Sequence, residues 1–248
     1  SMDGPLLAIE GIRKSFGGLH VLTGVDLTLA QGAVKCIIGP NGCGKSTLFN
    51  ILTGVLRSDG GHFAFGGERA DGLPAYRIAR LGMLRKFQVP GVLPGLTVIE
   101  NLELARLGRA GGGVLATMGG GADLDCFARL READLLEHFA TPVEQLPHGL
   151  KQRLEILMLV SRGPKLLLLD EPTAGMTPQE TADTARMIRT ISREHGIAVL
   201  AIEHDMRFVR DLDCPVVVML KGVVQSEGDY DAVRQDPQVR AAYLGEAV

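Results

Sequence analysis

Short runs in which nearly every residue is apolar alternate along this chain with longer segments whose apolar positions recur at helical spacing. Ala33–Gly39 (AVKCIIG) is rich in β-formers and suits a strand buried on both faces. A glycine-rich loop follows, and then an expected helix over Lys45–Thr53. Leu166–Asp170 and Ala198–Glu203 repeat the buried-strand pattern, with a helix expected between them over Gln179–Glu194. Val216–Leu220 and Val223–Glu227 read as two more extended runs. Ahead of all these, Leu6–Ala30 reads as short extended segments parted by turn glycines, with Val21, Val25, Leu27 and Leu29 partly alternating.

From about Val89 to Arg162 the pattern turns helical. TVIENLELARL places Val98, Leu102 and Ala105 at helical spacing, and LREADLLEHF repeats the habit. Gly108–Gly121, between them, is glycine-rich with little to pack. Strands alternating with helices on both sides of a helical insertion predict an α/β core carrying a helical subdomain. The expected organisation is one domain over 6–248, with the insertion near 89–162 and no internal repeat.

Composition narrows the function classes. A hydrophobic fraction of 46% is ample for a core, and a formal charge of −3 argues against a dedicated nucleic-acid binder. Cys36, Cys43, Cys126 and Cys214 show no paired spacing, so reduced cytosolic thiols are expected rather than a zinc site or disulfides. No apolar stretch approaches the roughly 18–20 residues of a spanning helix, and the N-terminus lacks the layout of a secretory leader. Any membrane role is therefore expected to come through a partner.

Candidate chemistry begins at Gly39-Pro40-Asn41-Gly42-Cys43-Gly44-Lys45-Ser46-Thr47, which fits the P-loop pattern G-x-x-x-x-G-K-[ST]. Glycines let successive N–H groups turn inward toward phosphate oxygens, and the following helix adds its positive N-terminal end. Lys45 would meet the β- and γ-phosphates, and the Ser46 hydroxyl would ligate Mg²⁺. Cys43 sits where the pattern leaves the residue free. Leu166–Asp170 then brings Asp170 to a strand end, suited to holding Mg²⁺ through water. Glu171, one residue on, is placed to polarise an attacking water as general base.

With these motifs in this order the chain resembles an ABC-family ATPase over nearly its whole length. The resemblance implies a P-loop NTPase core of the ABC type, α/β, with an N-terminal antiparallel β subdomain and an inserted helical subdomain. It implies ATP and Mg²⁺ as ligands and several more site residues. Phe16 (KSFGG) matches the aromatic that stacks on adenine, and Gln88 (RKFQVP) the loop glutamine that reaches Mg²⁺ and faces the transmembrane partner. Gly149 (LPHGLKQ) matches the signature that closes over ATP held by the other subunit, and Ala174–Thr177 occupies the D-loop position. His204, after AVLAIE, matches the switch histidine that contacts the γ-phosphate. EPTAGMT and the closing DPQVRAAYLG are similar to importer subunits for branched-chain amino acids, amides and urea, with the urea type nearest.

The implied partners are transmembrane permeases, a second ATP-binding subunit packed head to tail, and indirectly a solute-binding protein. The implied location is cytoplasmic, peripheral on the inner face of the membrane. Asn101, Leu102 and the Gly108–Gly121 stretch are expected to shape the docking face. One departure stands out. The family signature has Ser and Gln where this chain has Pro147 and Leu150, so hydrolysis is expected to be slow. Two rival readings follow: an ABC ATPase acting on nucleic acid or ribosomes, and a regulatory module that closes on ATP but barely hydrolyses it. The first would bring coiled-coil insertions, tandem cassettes or basic arms, which the sequence lacks.

Overall fold

The computed structural model describes residues 4–87, 91–107 and 124–244. Its centre is a sheet in the order β10-β9-β3-β8-β7-β6. Five of these strands run parallel: β3 (Val34–Ile38), β6 (Met83–Lys86), β7 (Leu166–Asp170), β8 (Ala198–Ile202) and β9 (Val216–Leu220). β10 (Val223–Gly228) closes one edge antiparallel to β9. The uninterrupted apolar runs follow from burial on both faces. Cys36, Ile38, Leu167, Leu169, Val199, Ala201, Val216 and Val218 face one core, while Ile37, Leu166, Leu168, Ala198, Leu200, Ile202, Val217 and Met219 face the other. The alternation has the strand period of two.

A second sheet, in the order β2-β1-β4-β5, is antiparallel. β1 (Leu7–Phe16) and β2 (Leu19–Leu29) are longer than the short segments expected from the sequence. The apparent interruptions are irregularities within continuous strands: the register shifts between Ile9 and Ile12, beside Gly11 at φ 59°. β4 (Gly60–Phe65) and β5 (Glu68–Arg69) complete this sheet. It is the expected N-terminal antiparallel subdomain.

α1 (Lys45–Leu52) follows β3, and α2 (Ala75–Leu81) leads into β6. α3 (Val98–Leu107), α4 (Leu124–Glu132) and α5 (His148–Ser161) make the helical region. α6 (Pro178–His195) starts in a capping box, in which Thr177 and Glu180 satisfy each other's backbone N–H groups. α7 (Met206–Leu212), α8 (Tyr230–Gln235) and α9 (Pro237–Leu244) complete the chain. Among the described residues no helix is long and apolar enough to cross a membrane.

The structure corrects one expectation here. Asn101 and Leu102 are fully buried and so do not form a docking face. Asn101 braces the preceding loop from inside, accepting from Leu93 N–H at 2.6 Å and donating to Thr97 O at 3.0 Å. Gly108–Gly121 lies outside the described residues.

Candidate active site

The C-terminal ends of β3, β7 and β8 adjoin in the sheet, because β3 pairs with β8 and β8 with β7. The loops leaving them carry most of the site, as expected for ligands at the carboxyl edge of an open α/β sheet. The loop after β3 is shaped by steric demand. A side chain at Gly39 would come within 2.4 Å of Met219 O, and one at Gly44 within 2.4 Å of Leu22 Cδ2. Gly44 also has φ 97°, a conformation that L side chains rarely adopt. Asn41 and Gly42 are exposed, Pro40 half-buried. Lys45, only 6% exposed, turns its Nζ back into the loop, donating to Gly39 O at 2.5 Å and Pro40 O at 3.0 Å. Cys43 is less free than the motif suggests. It is buried, with Sγ 3.6 Å from that ammonium.

Ser46 Oγ donates to Asp170 Oδ2 at 3.4 Å, bringing together a hydroxyl and a carboxylate from the ends of α1 and β7. Hard oxygen donors of this kind suit Mg²⁺, which takes one or two protein ligands and completes its shell with phosphate and water. Among the described residues no cluster of three or more His, Cys, Asp or Glu could hold a metal unaided. The Ser46–Asp170 oxygen pair, which leaves the other positions to phosphate and water, fits a metal delivered with a nucleotide. Thr47 is half-buried in the first turn of α1.

Asp170 has a partner that the sequence did not suggest. Arg85, on β6, donates from Nη2 to Asp170 Oδ2 at 3.2 Å and from Nη1 to Asn50 Oδ1 at 2.6 Å. Its guanidinium lies over the rings of Phe49 and Phe87, 5.6 and 5.4 Å from their centroids. The neighbouring Lys86 forms a buried ion pair at 3.0 Å with Glu155 of α5, tying the helical region to the same strand. Only their position just ahead of the loop glutamine hinted at either residue. Gln88 itself lies outside the described residues.

Glu171 and His204 meet across the β7 and β8 ends, His204 Nε2 lying 2.8 Å from Glu171 Oε1. Both side chains are about one-third exposed, so water and substrate can reach them. Glu171 has φ 48°, the left-handed region, where a non-glycine residue is strained by about 1–3 kcal/mol. Its N–H donates to Ile202 O at 2.8 Å, which pins the strained turn to β8.

The remaining expected residues take separate places. Phe16 ends β1 and is 47% exposed, with Lys14 Nζ 5.4 Å from its ring centroid. Its hairpin lies over the glycine loop, since Val21 and Leu22 are the groups a Gly44 side chain would meet. Gly149, in the first turn of α5, is buried under α6: a side chain there would come within 2.6 Å of Glu180 Oε1. Its small size thus has a reason within this chain. Pro147 caps α5 without any side-chain hydrogen bond, and His148 reaches Ala174 O at 2.9 Å. Leu150 packs partly against the core, so it is a packing residue as well as a lost polar one.

Comparison with known proteins agrees with this geometry. The family profile described as ABC transporter matches residues 22–174, and one described as branched-chain amino acid ATP-binding cassette transporter matches 226–248. The high-affinity branched-chain amino acid transport ATP-binding protein BraF of Pseudomonas aeruginosa is 37% identical over 258 aligned positions, covering 99% of this chain and all of that protein. The corresponding LivG of Escherichia coli is 36% identical over 255 positions, with the same coverage. Neither carries a urea description. Among solved structures, the ADP conformation of MJ1267, an ATP-binding cassette of an ABC transporter, superposes with TM-score 0.83 at 30% identity, covering 98% of this chain and all of that one. On sequence, fold and the order of its motifs, this chain belongs to the ABC transporter family as an ATP-binding cassette, a nucleotide-binding ATPase.

Proposed function

We propose that this chain hydrolyses Mg²⁺-bound ATP at the shared edge of β3, β7 and β8, and thereby drives a membrane importer for branched-chain amino acids. The observation that carries the hydrolytic reading is the Glu171–His204 contact of 2.8 Å, beside a P-loop lysine and a Ser46–Asp170 oxygen pair. The 39–47 loop and Lys45 bind the triphosphate, and Phe16 offers its exposed ring to adenine. Ser46 and Asp170, with Gln88 as a further ligand, would hold Mg²⁺, which would neutralise phosphate charge when bound. Glu171 accepts the proton of the attacking water, and His204 holds the carboxylate in its rotamer and faces the γ-phosphate.

The transported class rests on the branched-chain amino acid transport for which BraF and LivG are named and on the 226–248 match. The single domain over 6–248, with 89–162 as its insertion, would meet the permeases near Gln88. Exposed Phe87, Leu93 and Leu104, and a cleft of about 280 Å³ lined by Phe87, Met158 and Leu159, support an apolar contact there. A second copy or a homologous cassette, packed head to tail, would bring Gly149 and the α5 N-terminus to the γ-phosphate. The chain would then sit on the inner membrane face through these partners.

Reconstitution with permeases and solute-binding protein tests the transport reading. Branched-chain amino acids should stimulate ATP turnover, whereas stimulation by urea alone would overturn the substrate class.

A further inference from the structure

Beyond the residues that face the nucleotide, one buried carboxylate organises the hydrolytic edge. Glu203, 3% exposed, follows β8 directly and precedes His204. Its Oε1 accepts from Thr173 N–H at 3.0 Å and from Thr173 Oγ1–H at 2.6 Å. Its Oε2 accepts from the N–H groups of His204 at 3.0 Å and Asp205 at 3.3 Å. Its own N–H donates to Ile37 O at 3.2 Å, tying it to the strand that feeds the glycine loop. One side chain thus fastens the turn after Glu171 to the loop bearing His204.

Burial without a cationic partner is costly for a carboxylate, and burial does push the Glu203 carboxyl above its ordinary range. The four donors offset that cost, but an amide could not replace the carboxylate. A glutamine NH₂ would point donors at donors on one side or the other. The strain at Glu171 supplies the reason for the clamp. A left-handed glutamate persists only where its surroundings over-determine it. Here Ile202 O holds its N–H, and Glu203 holds Thr173 two residues later.

We infer that Glu203 is a positioning residue for hydrolysis, setting the Glu171–His204 contact by clamping Thr173 to the backbone of His204 and Asp205. The inference rests on the reading of Glu171 as the base. It predicts an effect on turnover rather than on nucleotide affinity, because the Glu203 side chain bonds neither the 39–47 loop nor Asp170, and meets His204 only at its backbone N–H. Misplacement of reacting groups by an ångström costs on the order of a hundredfold in rate.

Four variants test it, each checked for folding by thermal melt, with ATP affinity and saturating turnover measured separately. Glu203→Gln should lower kcat by about thirtyfold or more while moving the Kd for ATP by less than about threefold. Thr173→Val, which keeps the N–H but loses the hydroxyl, should lower kcat by about fivefold to tenfold. Thr173→Ser should restore it to the parental rate. A folded Glu203→Gln protein with near-parental kcat, or equal loss of affinity and turnover, would overturn the inference. If Glu203→Gln does not fold, the threonine pair decides: equal rates for valine and serine would overturn it. Glu171→Gln separates the two levels. Turnover retained there defeats the base assignment itself, whereas turnover lost there and kept in Glu203→Gln defeats only the clamp.

Discussion

The glycine loop after β3 and the hydrolytic edge at the ends of β7 and β8 do neighbouring jobs by opposite means. The loop is fixed by what must be absent: no side chain fits at Gly39 against Met219 O, and Gly44 needs a left-handed backbone. The edge is fixed by what must be present. Glu203 binds four donors, and Arg85 ties Asp170 to Asn50. The first kind of constraint is written in a contiguous stretch of residues. The second joins positions far apart in the chain. On the proposed reading, binding depends mainly on local backbone shape, and hydrolysis on a side-chain network drawn from α1 and the ends of β6, β7 and β8.

That division is open to attack by substitution. Glu171→Gln should cut turnover by at least about two decades and leave ATP affinity intact, checked by phosphate release beside equilibrium binding. Arg85→Ala removes one member of an ion pair whose side chains are only 10% and 8% exposed. It should destabilise the fold by about 3–5 kcal/mol, read in a denaturant melt, because Asp170 is left buried and uncompensated. Lys45→Ala removes the ammonium proposed to meet phosphate and should weaken ATP binding by about 1.5–3 kcal/mol in a direct titration. Gly39→Ala should cost about 1–3 kcal/mol of stability by overpacking against Met219, with the nucleotide-dependent thermal shift reduced in parallel. The smallest effect is expected at the signature. Pro147→Ser restores one hydroxyl and should raise turnover by about tenfold in steady-state assays. The companion change Leu150→Gln is a poorer test, because Leu150 also packs against the core.

Legibility in the sequence followed the same line. β7, β8 and β9 were plain because burial on both faces leaves only apolar residues, and the P-loop was plain because its glycines are steric necessities. β6 was not. In MLRK, Arg85 and Lys86 are charged residues on a strand of the central sheet, tolerated because Asp170 and Glu155 pair with them. No local pattern reveals a partner 85 or 69 positions away. β4, β5, α2, α7, α8 and α9 give no legible pattern either, each being short or interrupted by glycine. Glu203 is only the last residue of the Ala198–Glu203 run in the sequence, since its contacts appear only when Thr173 and the His204 backbone are placed around it. Asn101 misled in the other direction: a polar residue in a helix reads as surface, yet it is buried to satisfy the loop at Leu93.

The central claim is that binding and hydrolysis reside in separate parts of one site, and Glu171→Gln tests it most directly. ATP affinity and single-turnover hydrolysis should be measured on the same preparation, with the parental protein alongside. The account predicts parental affinity with hydrolysis lowered by two decades or more. Parental hydrolysis, or a loss of affinity matching the loss of rate, would contradict it.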